Sequence, residues 1–133
     1  MAEPVVFTHT FCVPAEDIGR MNHVSNVTVV RYVQDVAAMH WLSVAPDDVK
    51  AKFVWVVRRH EIDYFKQLLL GDELAVRTWV GEMSGASWDR HTEIVRQSDS
   101  AVVVRARTVW VLIDPASGRP RRVNPAWANW LMK

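Results

Sequence analysis

Between Val24 and Leu42 the chain carries neither glycine nor proline, and beyond Pro46 its apolar residues switch to a period of two that continues to Ile113. Few folds accommodate that order. The only regular polar positions of the first stretch, Thr28, Arg31 and Asp35, fall at i, i+3 and i+7. On a helix this puts them on one narrow stripe, with apolar residues nearly all round, and such a helix must be buried. Valines at 27, 29, 30 and 33 favour strand locally. Length, the Ala37-Ala38-Met39 run and the capping residues upstream outweigh them.

The period-two segments are Phe53 to Phe65, Glu73 to Met83, Ser87 to Arg96 and Val102 to Ile113. They are separated by Leu70-Gly71-Asp72, Ser84-Gly85-Ala86 and Gln97-Ser98-Asp99-Ser100, and the last is followed by Asp114-Pro115-Ala116-Ser117-Gly118. Turns this short join antiparallel neighbours. Val5 to Val13 reads as a further strand ended by Pro14, and Asn124-Pro125 as the cap and first turn of a short helix whose Trp127, Trp130 and Leu131 share one face. The expected architecture is α+β, one domain over residues 1–133, with an antiparallel sheet of about five strands wrapped around one long helix.

Composition narrows the function classes. A chain of 133 residues, half apolar, with a net charge of +1, has no bulk attraction for nucleic acid or anionic lipid, so small molecules or other protein chains are the expected partners. No run of about 18 apolar residues and no leader pattern is present, so a soluble, cytoplasmic protein is expected. The single cysteine, Cys12, rules out an internal disulfide or a multi-cysteine zinc site and reads as a small buried hydrophobe. No metal or cofactor is expected. Seven tryptophans exceed what one small core absorbs, which points to a subunit interface or a ligand slot.

Chemistry-bearing residues concentrate in EDIGRMNHVSN, residues 16–26, directly before the apolar stretch. With RRHEIDY, LGDEL and GRPRRVNPAW following in order, it resembles the hotdog-fold acyl-CoA thioesterases of the 4-hydroxybenzoyl-CoA type, a group that includes the plant acyl-carrier-protein thioesterases. Their usual run is D-x-D-x-x-G-H-V-N-N-x-x-Y. The resemblance matches Asp17 to the first acid, His23 to the histidine and Asn26 to the second asparagine. Gly19 stands in place of the second acid, Asn22 in place of glycine and Ser25 in place of the first asparagine. It implies a hotdog fold and hydrolysis of a small or medium acyl-CoA or acyl-carrier-protein thioester. It also implies a homodimer or dimer of dimers, in keeping with the sheet edge and aromatic surface a lone sheet leaves open.

Such hydrolysis needs a carboxylate to attack the carbonyl or activate water, and donors for the oxyanion. Asp17 is the nearest acid, six residues before His23, with Glu61 and Asp35 in reserve. A helix starting near His23 or Val24 would present unpaired amides to a carbonyl, with Asn22, His23 and Asn26 as added donors. The bland alternative makes Asn22 or Ser25 a cap, His23 a structural hydrogen bond and Asp35 the i+4 partner of Arg31. Arg58 and Arg59, together with Arg119, Arg121 and Arg122, are the cations suited to coenzyme A phosphates, and Val27, Val30, Tyr32 and the tryptophans are candidates to line an acyl slot. A hydratase would show Asp and His five apart in D-x-N-P-x-H, which this chain lacks. Gly19 keeps a non-catalytic acyl-CoA-binding module as the alternative.

Overall fold

A computed structural model describes residues 2–133. Strand β1 (Phe7–Cys12) leads through a 3-10 turn at Ala15–Asp17 into α1 (Asn26–Val44) and a short α2 (Asp47–Lys52). There follow β2 (Val54–Tyr64), β3 (Glu73–Ser84), β4 (Ser87–Arg96), β5 (Ala101–Asp114) and a two-residue β6 (Arg119–Pro120); a second 3-10 turn, Pro125–Trp127, runs into α3 (Ala128–Leu131). The sheet order is β1-β3-β4-β5-β2, with every pairing antiparallel and β6 added at the end of β5. The expected sheet wrapped on one helix is what forms, leaving β1 and β2 as its edges.

The β3–β4 hairpin shows why successive strands stay adjacent. Ser84 pairs with Ser87, leaving only Gly85 and Ala86 to turn the chain, and Gly85 sits at φ +58°. That left-handed conformation costs glycine nothing and strains other residues. At the C-terminus, Asn124 Oδ1 accepts from the Ala126 amide with Pro125 next to it, the cap and proline that the sequence announces.

Helix α1 starts later than expected. Ser25 is its N-cap, its hydroxyl accepting from the Thr28 amide, so His23 and Val24 belong to the preceding loop. Nor is the helix buried all round: Val29, Tyr32, Val33, Val36, Ala37 and His40 face the sheet, while Val27 is 81% and Leu42 59% exposed. One sheet covers one face of a helix only. Arg31 and Asp35 do form the exposed i, i+4 pair, at 3.8 Å.

Two clusters make the core. Val29, Tyr32 and Val36 pack on Leu74, Val76, Ile94 and Val104 beneath the first half of α1. Under its second half Trp88, Leu112, Trp127 and Leu131 are joined by Trp41, Trp55 and Trp130. Neighbouring indoles in that second cluster lie 5.5–6.4 Å apart, so most of the tryptophan excess is absorbed by one interlocked group. Cys12 is exposed, not buried as its apolar character suggested. It occupies an outward position of the alternating edge strand β1, its Sγ 3.9 Å from Glu73. Helix α2 was not foreseen, although Asp47 and Asp48 in its first turn and Lys50 and Lys52 in its last suit the helix dipole.

Candidate active site

A cleft of about 160 Å³ opens at the start of α1, lined by His23, Val24, Asn26 and Val29 on one side and by Tyr64 to Leu68 on the other. Three of the residues singled out in the sequence therefore meet. The loop that carries them is pinned: Gly19 N–H donates to the His23 carbonyl at 2.9 Å, and Ile18 bridges Val24. Val24 N–H is bonded to the Leu68 carbonyl at 2.8 Å, which removes it as an oxyanion donor. With Thr28 N–H on Ser25 Oγ and Val29 N–H on the Ser25 carbonyl, the amides of the first turn without a partner among the described residues are those of Asn26 and Val27. They carry the positive end of a 19-residue helix.

His23 Nδ1 lies 2.9 Å from the Val24 carbonyl oxygen. A carbonyl can only accept, so Nδ1 carries the proton, and a neutral ring then holds its lone pair on Nε2. Nε2 has no partner among the described residues, and the half-buried ring is poised as an acceptor at the cleft.

Asp17 is placed differently. Its side chain is only 7% exposed, and both oxygens accept from Arg31 Nη2, at 3.0 and 3.1 Å. Tyr32 Oη donates to Oδ2 as well. Burial, and after it the hydrogen bond to Asp17, raises the Tyr32 phenol above its usual range, so the phenol remains protonated and donating. The carboxylate thus ties the 3-10 turn to the second turn of α1. It does not line the cleft, and neither does any other acid among the described residues.

The remaining candidates are dispersed. Asn22 is exposed at φ 62°, in the turn before His23. Glu61 is paired with Arg59 at 2.8 Å and Arg107 at 3.3 Å on the outer face of the sheet. Arg58 is the extra residue of a bulge in β2, between Val57 and Arg59. It is exposed, as are Arg119, Arg121 and Arg122, and none of these four makes an ion pair among the described residues. Of the residues proposed for an acyl slot, Val27 is mostly solvated and Tyr32 is engaged by Asp17, whereas Trp41, Trp55, Trp88 and Trp110 line a second cavity farther along α1. Sequence reading missed Tyr64 to Leu68 as the far wall of the cleft: Tyr64 and Phe65 read only as the end of a strand, and no periodic or motif signal marks Lys66 to Leu68, a loop that offers its Leu68 carbonyl to Val24.

Comparison with known proteins agrees with the fold. At the level of solved structures, the chain is similar to a predicted thioesterase from Bacillus stearothermophilus (TM-score 0.84, 22% identity, covering 96% of this chain and 94% of that one). It is similar also to a hypothetical protein of Staphylococcus aureus in complex with CoA (TM-score 0.82, 15% identity, 96% and 82% covered). A 12:0-ACP thioesterase from Umbellularia californica superposes with a TM-score of 0.81 at 19% identity over 94% of this chain and 49% of that one. These likenesses establish the hotdog fold. In sequence the chain is 26% identical over 129 residues to the chloroplastic palmitoyl-acyl carrier protein thioesterase of Gossypium hirsutum, covering 90% of this chain. It spans about a third of the length of the curated relatives it matches, 31% in each case. The model of the acyl-ACP thioesterase N-terminal domain matches residues 4–130, nearly end to end, and the chain belongs to that family.

Proposed function

We propose that this domain hydrolyses acyl thioesters of coenzyme A or of an acyl carrier protein, in the cleft where α1 begins. The observation that carries the reading is the meeting, at one cleft, of Asn26, the first residue of the helix, whose amide is unpaired among the described residues, and a histidine whose Nδ1 is engaged by a carbonyl. In this reading the thioester oxygen lies against the Asn26 and Val27 amides, with the Asn26 side chain as a further donor. His23 Nε2 takes a proton from water as its oxygen bonds to the carbonyl carbon. The negative charge collects on the carbonyl oxygen, held by the amides. On collapse the carbon–sulfur bond breaks and the imidazolium returns the proton to the leaving thiolate. Free acid and thiol result, and the histidine is regenerated.

Asp17 is the positioning residue of this scheme. By holding Arg31 and Tyr32 it fixes the loop that carries His23 relative to α1. A homodimer, or a dimer of dimers, belongs to the same reading. It is supported by the open edge of β2, where Val54 and Val56 are 44% and 45% exposed, and by the uncovered Val27 and Leu42 of α1. Exposed Arg58 and Arg121 are the cations proposed for coenzyme A phosphates. No helix among the described residues is long and apolar enough to cross a membrane. A cytoplasmic setting is proposed on the strength of the lone free thiol at Cys12.

A second reading, a binding module without turnover, is not favoured by the family match, and it rests only on Gly19 standing where the motif that the chain resembles has an acid and on a cleft that no described carboxylate lines. Release of thiol from a panel of acyl-CoAs separates the two, since a binder gives thermal stabilisation and no thiol. Gly19→Asp sharpens the test. A Cβ at this position lies 3.4 Å from the His23 carbonyl oxygen and 3.7 Å from Ser25 Cβ, and no left-handed φ opposes it. The new carboxylate fits beside the helix start, where it can assist His23 in activating water. Turnover is expected to rise by roughly ten-fold, about 1.4 kcal/mol of barrier. A fall in turnover with an unchanged melting temperature contradicts this placement of the carbonyl.

A further inference from the structure

The second cavity, about 270 Å³, lies between the C-terminal half of α1 and the inner face of the sheet. Its walls are mainly apolar, with indoles of Trp41, Trp55, Trp88 and Trp110 among them, yet Arg90 is set into them. Arg90 is only 6% exposed. Its Nη1 donates to His40 Nδ1 at 2.9 Å and to Thr78 Oγ1 at 3.2 Å. Both are neutral acceptors: burial and, after it, the Arg90 charge push His40 down to about 4, so its ring is uncharged at neutral pH. The N–H of Nε and both hydrogens of Nη2 have no acceptor among the described residues. No carboxylate pairs with this guanidinium either. Asp89, next in the chain, also belongs to the lining, but its Oδ2 is taken by Arg107, at 2.6 and 3.1 Å.

A buried cation without a counter-ion is costly, and proteins that keep one generally pair it with something. A second donor belongs to a residue of the same lining. Trp110 Nε1 is buried with no hydrogen-bond partner. Thr108 is opposite Arg90 and Trp110 opposite Trp88, so Arg90 and Trp110 are diagonal neighbours on one face, roughly 7–8 Å apart at the backbone. Their unsatisfied donors can converge on one anion. Lys50 adds a cation to the lining.

We propose that this slot binds a carboxylate carried on an apolar or aryl body, the anion taken by Nε and Nη2 of Arg90 and by the Trp110 indole N–H, the body lying among Trp41, Trp55 and Trp88. The site is distinct from the cleft. Ala37 to Trp41 lie eleven to fifteen residues beyond Asn26, roughly 16–22 Å along the helix axis. It does not depend on the thioesterase reading. The carboxylate belongs either to a free acid or to the far end of an acyl thioester that carries a second acid group.

Tryptophan fluorescence reports on the slot directly, because indoles line it. Decanoate is expected to quench the wild-type protein saturably, with 1-decanol, the same body without the anion, about 10- to 100-fold weaker. Arg90→Met should reduce decanoate to the affinity of decanol while leaving decanol unchanged, and Trp110→Phe, which removes the N–H together with one ring of the indole, should weaken decanoate by a smaller factor and narrow its margin over decanol. Binding to a His23→Ala variant should match the wild type, whatever thiol release shows. The coenzyme A monothioester of hexadecanedioate, whose chain is long enough to cross from the cleft to Arg90, set against hexadecanoyl-CoA, distinguishes the sources: quenching by decanoate assigns the slot to a free acid, and quenching by the hexadecanedioyl thioester alone to the far end of a substrate. Equal affinity for decanoate and decanol, or no quenching by any of these probes, overturns the proposal, leaving Arg90 as a bracket for His40 and Thr78. Should Arg90→Met not fold, Trp110→Phe and the wild-type comparison decide alone.

Discussion

His23→Ala lowers kcat for thioester hydrolysis by roughly 10²- to 10⁴-fold, the range that a positioned general base contributes. KM changes little, because the Asn26 and Val27 amides and the cleft walls remain in place. The melting temperature is expected to hold, since the side chain is half-buried and makes a single hydrogen bond, to the Val24 carbonyl. Added imidazole should restore part of the rate, as a diffusible base occupying the space the ring leaves. A variant that keeps full turnover removes His23 from the chemistry. One that loses turnover only because it unfolds shows up in the melting curve.

Asp17 gives the second large effect, of a different kind. Asp17→Ala leaves the Tyr32 hydroxyl, in a residue only 5% exposed, without its acceptor. Stranding a buried hydroxyl costs about 1–3 kcal/mol, enough to lower the melting temperature by several degrees in a domain of this size. Turnover should fall with it, because the loop that carries His23 loses its tie to α1. Asp17→Asn keeps an acceptor oxygen for Arg31 or Tyr32 and is expected to recover most of both stability and rate. A base or nucleophile would behave otherwise: Asp17→Asn would be as inactive as His23→Ala at an unchanged melting temperature. That outcome returns the acid to the role its spacing from His23 first suggested.

These two residues also mark how far the sequence can be read. Strands and turns were legible because each is set locally, by alternation and by Gly or Asp at the turn, and β4 falls on Ser87–Arg96 as read. The start of α1 was misplaced by two residues because Asn22, Ser25 and Asn26 are all competent caps, and only the Ser25 Oγ to Thr28 contact selects one. His23 and Asn26 were visible as site candidates since the loop and helix that hold them are contiguous. Asp17 was visible as an acid, but its engagement by Arg31 and Tyr32 depends on side chains fourteen and fifteen residues away. Arg90 was not visible at all: in sequence it sits in an alternating strand among charges, and only the register of β4 against β5 turns it inward, toward His40. Inward-facing polar residues at strand spacing break the binary pattern, and such breaks are where sites tend to lie.

The central claim is that the amides opening α1 hold the thioester oxygen. A complex with a non-hydrolysable acyl-CoA analogue, a ketone in place of the thioester, tests it most directly. The predicted result is the ketone oxygen about 3 Å from the amide nitrogens of Asn26 and Val27, with His23 Nε2 facing the carbonyl carbon across one water. A ketone seated among the tryptophans, with those amides open to solvent, contradicts the account.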